Sequence, residues 1–229
     1  MTTNVVSAAA AEASRPLQNR QKPLRLALIA YGLGEAGLVL ANAAEYYFRN
    51  GAGIDPLLDE GPLGVAFGLG FSVVGLLQLA GLVASVILMS MWTFRAMKNL
   101  HLAGAPEASM SPGWAVGWYF IPIANLWKPF EGMLQIWRGS MAQAGRPVKV
   151  PAHVGWWWAT WLLSNFLANI SLRLSGFMEE GPAYDEGLIV AVIASAVSVV
   201  CAILLLRVTR DITEAQQTGG RASVSEAFA

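Results

Sequence analysis

Long apolar runs alternate with short connections along this chain, and the connections hold most of its charge. Four runs have the length of spanning helices: about 24–48, 63–94, 154–174 and 187–206. The first three open directly after or near Pro23, Pro62 and Pro151. About 20 mainly apolar residues cross about 30 Å of hydrocarbon. The second run exceeds that need, so it tilts or its last turns leave the membrane. Residues 1–22 and 211–229 are small and polar and are expected to be disordered tails around a membrane domain at 23–210. The N-terminal stretch lacks the compact apolar core of a cleavable secretion signal.

One apolar stretch does not fit a simple helix. Residues 111–130 read SPGWAVGWYFIPIANLWKPF. Pro122 would remove a helical hydrogen bond and clash with the preceding turn. Trp114 to Trp127 is short for a span, and apolar runs of about 10–14 residues suit re-entrant or interfacial pieces. Asn125 could return a side-chain hydrogen bond to the broken backbone. A helix is then expected over about 129–141, with Pro129 in its first turn and Glu131 at its positive end. The predicted fold is all-α: an integral membrane bundle of four transmembrane helices plus this proline-broken re-entrant or interfacial element.

Charge placement orients the spans. All but two of the 15 basic residues fall in the N-terminal tail, the long middle connection and the C-terminal tail. The loop after the first run instead carries Asp55, Asp59 and Glu60, and the loop after the third carries Glu179, Glu180, Asp185 and Glu186. Lys and Arg mark cytoplasmic segments. Four spans with both termini cytoplasmic satisfy that bias throughout. A fifth full span over 113–138 would put Arg138, Arg146 and Lys149 outside and the second acidic loop inside. Composition agrees with a membrane protein: 13% of residues are charged, against about 25% in soluble domains, and the mean hydropathy is +0.48.

Polar residues inside the runs are costly at bilayer depth and are expected to face partners. Glu35, Asn42 and Glu45 lie in the first run, Gln78 in the second, and Asn165, Asn169 and Arg173 in the third. Their depths match between the first and third runs. These two helices are therefore expected to touch, with Glu45 pairing Arg173 and Gln78 joining Glu35. The ladder serves either as interhelical glue or as a proton or cation site of a transporter component centred on Glu35. Gly64, Gly68 and Ser72, and likewise Ala194, Ser198 and Ala202, have the spacing of close-packing seams.

The nine tryptophans all fall between Trp92 and Trp161. They suit a cytoplasmic-side aromatic belt, or a Trp-rich groove rimmed by Lys128, Arg138, Arg146 and Lys149. Such a face would bind the bilayer, anionic lipid headgroups or another membrane subunit. Cys201 stands alone in an apolar run and reads as packing. No nucleotide fingerprint, metalloprotease motif or nucleophile elbow is present, so no cofactor, metal or catalytic residue is assigned. No basic patch suggests nucleic acid. A lipid-modifying enzyme would need a nucleophile or metal cluster that the sequence does not offer, and the leading expectation is a non-catalytic role.

The stretches WTFRAMKNL (92–100) and SPGWAVGWYFIPIANLWKP (111–129), followed by Trp137, resemble a bacterial multi-pass membrane family, domain of unknown function 4328. The resemblance runs over about 63–210. It implies a multi-pass protein of the cell membrane and carries no activity. It also implies that Arg95, Asn99, Trp114, Pro122, Asn125, Lys128 and Pro129 belong to one motif, with Arg95, Asn99, Pro122, Asn125 and Pro129 forming one structural unit.

Overall fold

The computed structural model describes residues 17–176 and 182–227. The tail expected at 1–22 lies outside the described residues up to residue 16, as do Glu179 and Glu180. Every element among the described residues is helical. α1 spans Gln18–Tyr47 and continues as a π-turn, Phe48–Ala52, which ends at Gly53 with φ of 66°. α2 spans Pro62–Leu102, α3 Pro112–Gly117, α4 Lys128–Gln143, α5 Ala152–Gly176 and α6 Pro182–Ala227. Proline at the start of α2, α3 and α6 costs nothing, because the first-turn N–H groups have no helical partner.

Two tail boundaries need correction. α1 begins at Gln18 rather than after Pro23, and α6 runs past Asp211. Packing holds both extensions. Leu17 and Leu24 are 2% and 0% exposed, and Val208, Ile212 and Ala215 are all 0% exposed. The last three recur at steps of four and three, one stripe of a helix. Few apolar residues carry that stripe, so composition alone made it look like tail.

Three helices are long and apolar enough to cross a membrane: Gln18–Ala52, Pro62–Leu102 and Pro182–Gly219. α5 forms where a span was expected. It is not among these three, and its Trp156, Trp157, Trp158, Trp161, Asn165 and Asn169 add little to its hydropathy.

The chain forms two compact units. One comprises Ala27–Ser85 and Gly155–Leu205. Its polar residues Glu35, Asn42, Glu45, Ser164, Ser171, Ser195 and Ser198 are buried, whereas Leu33, Leu40, Leu69, Leu76, Ile193 and Ile203 are exposed. Apolar outside and polar inside is the arrangement of a bundle whose solvent is lipid. Small residues bring α1 and α2 into backbone contact. A Cβ on Gly34 would lie 2.6 Å from Gln78 Cα, and one on Gly81 would lie 2.6 Å from Tyr31 N. Ala194, Ser198 and Ala202 are buried as a seam, with Gly32 facing Ala202. The other expected seam is not one. Gly68 faces open space, and exposed Ser72 bonds its own helix at Gly68 O. The α1-facing side of α2 carries Val74, Gln78 and Gly81 instead, a different face of the same helix.

The other unit comprises the start of α1, Val86–Val154 and the α6 segment from Leu206. Its core gathers Trp92, Ala96, Met97 and Leu100 from α2, Met133, Ile136 and Trp137 from α4, and the Val208–Ile212–Ala215 stripe of α6.

Candidate functional site

The broken element lies between the end of α2 and α4. Ser111 caps α3, its side chain accepting from Trp114 N at 3.4 Å. The chain then tightens into 3₁₀ turns at Trp118–Phe120 and Ala124–Leu126 on either side of Pro122. Backbone bonds close the break: Asn125 N donates to Ile121 O at 2.7 Å, Leu126 N to Ile123 O at 3.1 Å, and Trp127 N to Ala124 O at 3.2 Å. The Asn125 side chain does not do this work. Its buried Oδ1 has no hydrogen-bond partner among the described residues. α4 starts at Lys128 with Pro129 in its first turn. Most of the element's apolar side chains are outward: Trp114 is 53% exposed, Phe120 65%, Ile123 72% and Leu126 54%. Trp114 stacks on Trp118 at 4.6 Å between ring centroids.

Arg95 and Asn99 are both buried in the same unit, and Asn99 belongs to a side-chain junction there. Asn99 Nδ2 donates to Gln216 Oε1 at 2.9 Å. Gln216 Nε2 donates to Ala96 O at 3.1 Å and to Ser140 Oγ at 3.0 Å. Trp92 Nε1 donates to Thr213 Oγ1 at 3.1 Å, and Arg95, one turn before Asn99 on α2, is buried. One glutamine thus ties α2, α4 and α6 together. Gln216 and Thr213 were missed because they lay in what read as tail. Their signal was that Thr213 and Gln216 are themselves i, i+3, each one residue after the apolar i, i+3 pair Ile212 and Ala215.

The tryptophans do not form a single exposed face. Trp92, Trp137, Trp157 and Trp158 are buried core residues, while Trp114, Trp127 and Trp156 are exposed. Size explains this: the large indoles fill space where helices meet. Among the basic residues, Arg138, Arg146 and Lys149 are exposed. Lys128 Nζ pairs with Glu131 Oε2 at 2.6 Å, which neutralises much of its field.

The intramembrane ladder divides. Glu35 is 5% exposed and accepts from Gln78 Nε2 at 3.0 Å, as expected. Tyr31, not anticipated, lies near both Glu35 and Ser198. Asn42 is buried and bonds its own helix at Leu38 O. Glu45 does not take Arg173 as partner. It is 1% exposed and accepts from Tyr184 Oη at 2.6 Å. Asn165, Asn169 and Arg173 lie on the exposed side of α5. The amides bond back to Trp161 O at 2.7 Å and Asn165 O at 2.8 Å. The rotation expected for α5 does not hold for these three residues, which face outward rather than toward α1.

Beside Tyr184 lies a second polar cluster. Arg49 pairs with Asp55 and, at 3.2 Å, with Asp185, and its guanidinium sits 4.6 Å from the Tyr184 ring centre. It clamps the turn after α1 to the start of α6. Sequence reasoning saw these acids only as an orientation signal. Among the described residues no three His, Cys, Asp or Glu side chains converge as metal ligands would.

Comparison with known protein families gives a match. The family model described as Domain of unknown function (DUF4328) matches residues 64–214, from the start of α2 to within α6. No curated protein and no solved structure matches.

Proposed function

Because this chain belongs to the family described as domain of unknown function 4328, a label that assigns no reaction, we propose a role read from its surface. It is a multi-pass protein of the bacterial cell membrane whose broken segment, 111–127, seats in the cytoplasmic leaflet and binds lipid there. α1, α2, α5 and α6 are its four spans, and both termini are cytoplasmic. α5, with 25 residues, reaches about 37 Å at 1.5 Å per residue, enough for the bilayer core.

The carrying observation is the outward apolar tip. Between Glu107 and Lys128 the chain has no charge, and Trp114, Phe120, Ile123, Leu126 and Trp127 are all exposed. Leaving such surface in water costs about 25 cal/mol per Å². The same exposure favours an interfacial seat over a re-entrant one. Non-helical backbone at full membrane depth must be buried in protein or line a wet cavity, yet Pro122 and Ile123 are exposed. At the interface the 3₁₀ turns satisfy part of their backbone internally and headgroup water satisfies the rest. Arg138, Arg146 and Lys149 of the same unit add attraction to anionic lipid, about 1 kcal/mol per cation near the surface. Glu35, which accepts from Gln78 of α2, acts as interhelical glue. That pairing supports a binding role over the alternative of solute or ion transport through a site around Glu35.

Depth measurement tests the seat. Ile123→Cys, made in a Cys201→Ala background, is labelled with a fluorophore and the protein is reconstituted in vesicles. Quenching by nitroxide-bearing lipids and shielding from aqueous iodide are expected. A label quenched by iodide and indifferent to the lipid nitroxide would rule the seat out.

A further inference from the structure

We propose that α5 docks against α5 of a second copy of this chain through its Asn165–Asn169–Arg173 face. The inference rests on the reading of α5 as a span. The three residues follow at i, i+4 and i+8, one stripe of a helix, and all are exposed. Phe166 and Leu172, 64% and 68% exposed, flank them. The exposed sides of α1, α2 and α6 carry Leu33 and Leu40, Leu69 and Leu76, and Ile193 and Ile203, residues content in lipid.

Each asparagine donates one amide hydrogen to its own helix. A carboxamide has a second hydrogen and an oxygen still to satisfy. Hydrocarbon offers neither donor nor acceptor, so two amides down the centre of a lipid-facing stripe call for a protein neighbour. Being donor and acceptor at once, a carboxamide is complementary to itself. Copies inserted in the same direction are related by a two-fold axis along the membrane normal. That axis runs the two α5 helices parallel and can set Asn169 opposite Asn169 and Asn165 opposite Asn165. This self-complementarity selects a second copy over an unrelated subunit. Arg173 lies near the helix end, where its long side chain can reach the headgroups rather than meet its own counterpart.

Cross-linking in membranes tests the docking, again on the full chain with Cys201→Ala. Asn169→Cys should give a disulfide-linked dimer on oxidation, whereas Val73→Cys, on the exposed face of α2, should not. Adding Asn165→Leu should abolish the Asn169→Cys dimer while leaving expression unchanged. Failure to cross-link, with residue 169 still shielded from a water-soluble maleimide, overturns the docking but not the span. Ready reaction of residue 169 with that maleimide overturns both. A band containing a different protein overturns the second copy as occupant.

Discussion

The Tyr184 hydroxyl donates to Glu45 Oε1 at 2.6 Å, and Glu45 is almost fully enclosed. This bond joins α1 to α6 at the end of the bundle where Arg49 holds Asp55 and Asp185. Tyr184→Phe leaves a buried carboxyl without that donor. The expected loss is about 1–3 kcal/mol, the penalty of an orphaned buried polar group, read as a lower unfolding temperature in detergent. An unchanged temperature would mean that another group satisfies Glu45.

Glu35 and Gln78 should respond unequally. Glu35→Gln keeps an oxygen for Gln78 Nε2 to donate to, so fold and membrane abundance should persist. Gln78→Leu removes the donor and should destabilise by about 1–3 kcal/mol. Thermal unfolding of both variants checks the order, and a collapse of Glu35→Gln would show that its charge matters to folding.

Three glycines should rank by what a methyl group meets. Gly81→Ala places a Cβ against the Tyr31 backbone at 2.6 Å, which cannot yield, and should cost about 1–3 kcal/mol. Gly139→Ala meets the tip of Leu100 at 2.9 Å, a side chain that can turn, and should cost less. Gly68→Ala meets nothing within 4 Å and should be neutral or slightly stabilising, since Gly in a helix costs about 0.5–1 kcal/mol relative to Ala. A different ranking in detergent melts would disprove the close approach of α1 and α2.

Gln216→Ala removes three hydrogen bonds at once and strands Asn99 and Ser140. Limited proteolysis should then cut α6 after about residue 206 sooner than in the parent protein. Equal cutting rates would count against Gln216 as the tie between α2, α4 and α6.

Arg146→Cys, in the Cys201→Ala background, tests the orientation. With four spans, a membrane-impermeant maleimide should label it only after the membrane is opened. Labelling of intact cells would favour a fifth span over 113–138.

Much of the fold was legible in the sequence because apolar length and proline placement act locally. Pro62 and Pro112 start helices, Pro129 lies in the first turn of α4, and helix in the broken segment has ended by Phe120, before Pro122. The pairing of Glu35 with Gln78 was also legible, since two polar residues deep in neighbouring apolar runs have few other partners. The Gln216 junction was not. Its residues are ordinary polar ones in a short, mixed stretch, and only the packing around Trp92 shows that they are inside.

Glu45 and Asn169 mark the line between the two kinds of information. Sequence by itself determined how far along its helix each lies, because that distance is residue number times the rise of a helix. It also determined that the chain is helical and built for lipid. Tertiary structure alone decided which way each residue points. Rotation of a helix about its axis is set by contacts with its neighbours, here the close approach of Gly34 and Gly81 to the facing backbone. On α1 that rotation turns Glu45 inward to Tyr184, while on α5 the close approach of Gly187 to Ser175 and the bond from Ser171 Oγ to Gly187 O leave Asn169 facing outward.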